Sequence, residues 1–379
     1  AIKPSGIRKF FDIANQIPGV LSLSIGEPDF AAPDKVLAAM KASLDAKETS
    51  YTGNSGMMEL REAISHHFEQ RYGVHYDPKD EILVTVGVSE GLAMALLAIT
   101  EPGDEVIIPD PAYVAYPASV ELAGGTPVFV PTYPEHDFKL TVEALEKVIT
   151  PKTKAIVIGY PNNPTGTVMS AEELMPIAKF AEEHDLIVLS DEIYCELMYG
   201  DAKFTSFAKL PGMRERTVIF NGFSKAYAMT GMRLGYVCAP REGLAPILKL
   251  HQYAIMCANT TAQVGGITAL KECDDDVEAM RQEYDRRRKV IYKGLCDMGL
   301  PVFEPKGAFY IFPDIRCTGM TSAEFCEKLV QEEKVAVVPG TAFGDQGEGF
   351  VRISYAASMD TIQEALKRMA RFVAKYRKK

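Results

Sequence analysis

Six short runs of β-branched and other apolar residues recur along the middle of the chain. They are EILVTV (81–86), DEVIIP (104–109), TPVFVP (126–131), KAIVIGY (154–160), LIVLS (186–190) and TVIFN (217–221). Most are apolar at consecutive rather than alternate positions, the pattern of strands covered on both faces. Between several of them lie helix-like stretches, SEGLAMALLAIT (89–100) and SAEELMPIAKFAEEHD (170–185). In the second, Ser170 and Glu173 stand at capping-box spacing. Strands alternating with helices predict a mostly parallel central sheet covered by helices, an α/β domain.

Beyond that region the texture changes. DDVEAMRQEYDRRRKVIYKGLCDM (275–298) reads as one long charged amphipathic helix. It is followed by the strand-like GAFYIFPDI, KVAVVPG and GFVRISYA and by a final helix, DTIQEALKRMARFVAKYRKK. This order suggests a smaller α+β domain, with which the irregular segment before about residue 35 is expected to pack. At 379 residues the chain exceeds a single core. The expected division is a large domain over 36–280 and a small one from 1–35 and 281–379.

Composition narrows the classes. Apolar residues make up 47% and charged residues 24%, ordinary for a globular chain. No apolar run reaches the length of a membrane span, and AIKPSGIRKFF lacks the apolar core of an export signal. A net charge of −10 with scattered lysines argues against nucleic acid as a partner. The seven cysteines (195, 238, 257, 273, 296, 317 and 326) form no CxxC pair. That fits reduced thiols in the cytoplasm and gives no support to a metal site.

In an open parallel sheet, ligands bind beyond the carboxyl ends of the strands. Those ends here carry Gly87-Val88-Ser89-Glu90, Asp110 to Tyr113, Asn162-Asn163, Asp191 to Tyr194, and Gly222 to Lys225. Each alone has an ordinary reading: a helix cap, a turn, a packed ring, a solvated lysine. Together they bring hydroxyls, amides, a carboxylate, aromatic rings and an amine to one rim. A rival reading exists, because GVSEG (87–91) has the spacing of a nucleophile elbow. A triad on Ser89 would need an acid and then a histidine, yet only His136, His184 and His251 follow it. A serine hydrolase is therefore the remote alternative.

The motifs GEPDF (26–30), YTGNSGMMELREAI (51–64), GDEVIIPDPAYVAYP, YPNNPTG, SDEIY, NGFSKAYAMTGMRLGY, KGAFYIFP and FVRISYA, in this order, cover almost the whole chain. They resemble the class I/II pyridoxal-phosphate-dependent aminotransferases of fold type I. The resemblance implies that Lys225 is the Schiff-base lysine, with its pKa lowered by burial and neighbouring positive charge. It implies that Asp191 pairs with the pyridine nitrogen, that Tyr194 and Asn163 bond the ring oxygen, and that Tyr113 stacks on the ring. The phosphate would lie at a helix N-terminus against Val88 and Ser89, with Ser224 and Arg233 adding donors and charge. Arg352 would grip the substrate carboxylate, Asn163 would share in substrate binding, and Gly26 would let the backbone approach that carboxylate. Tyr51 would reach the phosphate of a neighbouring subunit, which requires a homodimer.

The implied reaction moves an amino group from an L-amino acid, aromatic or broad, to a 2-oxo acid such as 2-oxoglutarate by a ping-pong mechanism. A C–S β-lyase on the same fold is the alternative. The segment 5–20 is expected to lid the site, with Phe10, Phe11 and Tyr310 as candidate pocket residues. Three positions depart from the family pattern: Gly222 where many relatives have a phosphate-binding serine, Glu90 where a smaller or neutral residue is common, and Tyr113 where others carry tryptophan.

Overall fold

The computed structural model describes residues 17–378. Phe10 and Phe11, and most of the expected lid, lie outside the described residues. A seven-stranded sheet forms from β2 (Ile82–Thr85), β3 (Glu105–Asp110), β4 (Thr126–Pro131), β5 (Thr153–Ile158), β6 (Ile187–Asp191), β7 (Thr217–Gly222) and β8 (Gly235–Cys238). Their spatial order is β2-β8-β7-β6-β5-β3-β4. All neighbours are parallel except β8, which runs antiparallel to both β2 and β7. All six expected strands are present. β8 is an addition, a four-residue strand with no long apolar run to announce it.

The continuous apolar runs are explained by two-sided burial. Val106, Ile108, Ala155 and Val157 face one core cluster, whereas Ile107, Ile156 and Ile158 face another. Alternation is present in the fold but hidden in the sequence, because both faces are covered. On the first face sit α3 (Gly87–Ile99) through Leu92 and Leu96, and α7 (Arg241–Ala254) through Leu244 and Ile247. On the other sits α6 (Ala171–Glu183), through Leu174 and Ile177. Its capping box is formed as expected: Ser170 Oγ accepts from the Glu173 N–H and the Glu173 carboxylate accepts from the Ser170 N–H.

Helices α1 (Asp34–Asp45), α2 (Met58–Tyr72) and α8 (Thr260–Glu272) cover the β2–β8 side of the sheet, while α4 (Ala115–Leu122) and the single turn α5 (Val142–Leu145) flank β4. Helix α9 (Asp274–Asp297) passes from one core to the next. Val277 belongs to the cluster under the large sheet, and Met280, Tyr284, Ile291 and Leu295 belong to that of the C-terminal part.

That second core is built on β11 (Val338–Pro339), β12 (Val351–Ser354) and β9 (Tyr310–Ile311), an antiparallel sheet in this order, flanked by α10 (Ser322–Glu333) and α11 (Met359–Tyr376). KVAVVPG does not form one strand. Its first half, β10 (Val335–Ala336), pairs in parallel with the early strand β1 (Leu21–Ser22). The N-terminal segment is thereby sewn to the C-terminal core: Leu23 N–H donates to Ala336 O, and Ser354 N–H donates to Leu23 O.

Candidate active site

The carboxyl ends of β2, β3, β5, β6 and β7 face β9 and β12 across a cavity of about 370 Å³. Three glycines let its floor come close. Gly87, at φ +74°, turns the chain from β2 directly into α3. A Cβ there would stand 2.6 Å from Nη2 of Arg233, and one at Gly235 would stand 2.7 Å from the Val88 nitrogen. One at Gly222 would meet Cα of Gly235 at 2.8 Å and O of Leu234 at 2.9 Å. This accounts for the first departure from the family pattern: the position has no room for a serine.

Helix α3 has no side chain capping its first turn from the N-cap residue Val86, so the N–H groups beginning at Val88 and Ser89 open onto the cavity. Ser224 lines the same end. Arg233, exposed and in the left-handed region at φ 49°, donates from Nη1 to Thr230 O at 2.9 Å. The floor is therefore an anion-binding concavity with a guanidinium at its edge.

Lys225 projects from the turn after β7. Its Nζ donates to Gly26 O at 2.5 Å and lies 5.7 Å from the ring centres of Tyr194 and Phe309. Burial, reinforced by the Arg352 charge, lowers its pKa from the usual 10.5 to about 8, against the opposing pull of Glu27 and Asp191. Asp191, buried at the end of β6, accepts from Tyr116 Oη at 2.8 Å and from the Ile193 N–H at 3.2 Å. Burial raises its pKa, and those two bonds and Lys225 act in the opposite direction.

On the opposite wall, Arg352 is only 2% exposed. Its Nη1 donates to Asn163 Oδ1 at 3.0 Å and its Nη2 to Ser24 O at 2.7 Å, while Nε is buried without a partner. The guanidinium carbon lies over the Tyr310 ring at 4.5 Å and over the Phe343 ring at 4.9 Å. Tyr310 Oη bonds Tyr194 Oη at 2.8 Å. A Cβ at Gly26 would come within 3.0 Å of Tyr310 Oη, so glycine keeps the space before the guanidinium open.

Residues 18–369 match the family pattern described as "Aminotransferase class I and II". The chain belongs to the class I and II aminotransferases. It is 50% identical over 97% of its length to the aspartate aminotransferase of Pyrococcus abyssi, covering 95% of that protein. It is 48% identical over 97% of its length to aromatic-amino-acid aminotransferase 2 of Thermococcus litoralis, covering 95% of it. The crystal structure of the aromatic aminotransferase from Pyrococcus horikoshii OT3 superimposes with a TM-score of 0.93 at 48% identity, covering 97% of this chain and 99% of that one. The aminotransferase is an enzyme that depends on pyridoxal phosphate.

The donor set suits that cofactor: an open helix start with a nearby guanidinium for a phosphate, a buried carboxylate for a ring nitrogen, and an amine of lowered pKa between them. Of the candidate residues read from the sequence that fall within the described residues, all but Tyr51 line this cavity. Tyr51 is 80% exposed on the loop before α2. The triad alternative on Ser89 finds no histidine among the described lining residues. Sequence reading missed Tyr116, three residues after Tyr113 in the first turn of α4, where it looks like packing. It also missed Thr230, whose Oγ1 donates to Glu27 Oε2 at 3.0 Å above the site.

Proposed function

We propose that this aminotransferase takes the amino group from an aromatic or broadly apolar L-amino acid and delivers it to a 2-oxo acid such as 2-oxoglutarate. Both substrates use one site in turn, so the kinetics are ping-pong. The observation that carries the donor class is the charge of the cavity. Among its described lining residues the cations are Lys225, Arg233 and Arg352. With Lys225 at the reacting centre and Arg233 at the phosphate, Arg352 alone remains for the substrate, in a cavity that Tyr113, Tyr194, Tyr310 and Ile25 also line. One carboxylate and an apolar side chain match that wall better than two carboxylates. The names of the relatives include aromatic-amino-acid, aspartate and N-acetyl-LL-diaminopimelate aminotransferases, and the lining favours the first.

When bound, pyridoxal phosphate supplies the carbonyl that accepts the amino group and a ring that draws electrons from the substrate α-carbon. In this reading Val88, Ser89, Ser224 and Arg233 hold its phosphate, and Asp191, oriented by Tyr116, keeps the ring nitrogen protonated. Tyr113 would lie against the ring, and Asn163 and Tyr194 would hold its oxygen. Arg352 fixes the substrate carboxylate as a planar fork, with Gly26 giving it room. Nζ of Lys225 would take the substrate α-proton and hold it for return. The large domain spans 36–280 and the small domain takes 1–35 and 281–379, supported by the change of core along α9 between Val277 and Met280. The enzyme works as a cytoplasmic homodimer, supported by seven unpaired cysteines and by the outward Tyr51, which would complete the partner's phosphate site.

The test is an amino-donor panel on the holoenzyme with 2-oxoglutarate. Phenylalanine and tyrosine should exceed aspartate in kcat/KM by roughly tenfold or more. A preference for aspartate overturns the donor class, and release of pyruvate and ammonia without an acceptor would place the chemistry with the lyases. For the dimer, an inactive Lys225→Ala chain mixed with a Tyr51→Ala chain should recover activity, because one heterodimer site then holds an intact lysine and an intact donated tyrosine. No recovery despite subunit exchange contradicts the shared site.

A further inference from the structure

Glu90 stands in the first turn of α3, the helix whose N-terminus faces the anion-binding end of the cavity. A carboxylate there repels a phosphate dianion. The structure folds it backward: Glu90 Oε2 accepts from the Val86 N–H at 3.0 Å, and Oε1 lies 3.0 Å from Nδ1 of His251. His251, on α7, is fully buried, and the Glu90 side chain is 8% exposed. The other ring nitrogen, Nε2, lies 3.0 Å from Asn54 O. A carbonyl oxygen only accepts, so Nε2 carries a hydrogen. The Nδ1 to Oε1 contact needs a second proton between a ring nitrogen and a carboxylate oxygen. With both protons in place the histidine and the glutamate together are neutral, whichever of the two holds the second one.

We infer that His251 is a positioning residue for cofactor binding: it cancels the Glu90 charge beneath the phosphate and ties α3 to the loop that carries Tyr51. The same loop is held twice more, to the turn after α7 by Asn54 Nδ2 donating to Met256 O at 2.9 Å and to α7 itself by Gln252 Nε2 donating to Asn54 Oδ1 at 3.2 Å. One buried strut thus joins the phosphate end of the site to the loop bearing Tyr51. The inference rests on the reading that the start of α3 takes the phosphate.

Charge cancellation and simple packing predict different mutational patterns. His251→Gln keeps a donor toward Asn54 O and leaves the Glu90 carboxylate without its counter-charge. Glu90→Gln keeps an acceptor for the Val86 N–H and a donor for a neutral histidine. The double variant rebuilds the whole chain of hydrogen bonds with two amides and no charge. Dissociation constants of full-length apoenzyme for pyridoxal phosphate and for phosphate-free pyridoxal are measured at pH 8, with thermal midpoints alongside.

His251→Gln should weaken pyridoxal phosphate about tenfold or more and leave pyridoxal unchanged. Glu90→Gln should bind pyridoxal phosphate at least as well as the unaltered chain, and the double variant should recover most of the loss. A double variant no better than His251→Gln, or an equal loss for pyridoxal, overturns the inference. Arg233→Gln run in parallel separates the two layers. If it fails to weaken pyridoxal phosphate relative to pyridoxal, the phosphate assignment itself is wrong and the inference falls with it. If it weakens pyridoxal phosphate while His251→Gln does not, only the inference fails.

Discussion

Nη1 of Arg352 and Oδ1 of Asn163 meet at 3.0 Å although 189 residues separate them. The bond joins β12 to the turn after β5, and so couples the cation proposed for the substrate carboxylate to the opposite wall of the cavity. It also fixes one edge of a guanidinium that already lies over the Tyr310 and Phe343 rings.

Arg352→Lys removes the planar fork and retains the charge. The KM for the amino acid should rise roughly 30-fold or more, matching about 2 kcal/mol for a charged bidentate bond, with a smaller effect on kcat. Steady-state kinetics on the variant check this, and an unchanged KM would return Arg352 to a packing role.

Asp191→Asn should keep cofactor bound through Lys225 and the phosphate cradle and lower kcat by roughly 10²–10³-fold, because an amide cannot balance a protonated ring nitrogen. Tyr116→Phe removes only the 2.8 Å bond that steadies Asp191. Its cost should be near tenfold or less. Equal losses in the two variants would contradict the hierarchy.

Much of this site was legible in the sequence because each central strand is a compact apolar run that ends abruptly in polar residues. Lys225, Asp191 and Asn163 stood at the ends of those runs, the motifs supplied their roles, and Arg352 was picked out by its motif alone. What escaped has physical reasons. β8 is four residues long and begins with glycine, so it has no run to detect. KVAVV looked like one strand, but β10 pairs with β1 and β11 with β12, contacts set by segments more than 300 and about 14 residues away. Tyr116 was hidden by its apolar neighbourhood in α4, and the histidine that answers Glu90 lies 161 residues from it.

Gly222→Ser would restore the side chain that many relatives carry at this point. Here its Cβ collides with Gly235 and Leu234 O. The variant should be destabilised by about 1–3 kcal/mol, seen as a thermal midpoint several degrees lower, without tighter cofactor binding. A variant of unchanged midpoint and higher affinity would contradict the packing account.

The lowered pKa of Lys225, about 8, has a definite sign. Below it the amine is protonated and cannot attack a carbonyl; above it the free amine predominates. Covalent capture of pyridoxal phosphate by the apoenzyme should accelerate between about pH 7 and pH 9 and then level off. A rate still climbing tenfold per pH unit beyond pH 9.5 would mean an ordinary, solvated lysine.

The most direct measurement is the site of attachment itself. Borohydride reduction of the holoenzyme followed by peptide mapping should place the cofactor on the single lysine of GFSKAYAMTGMR, Lys225, and the Lys225→Ala variant should carry none and lose roughly 10³-fold or more of its activity. Cofactor fixed to any other lysine, or a Lys225→Ala variant that still turns over at a near-normal rate, would contradict the account.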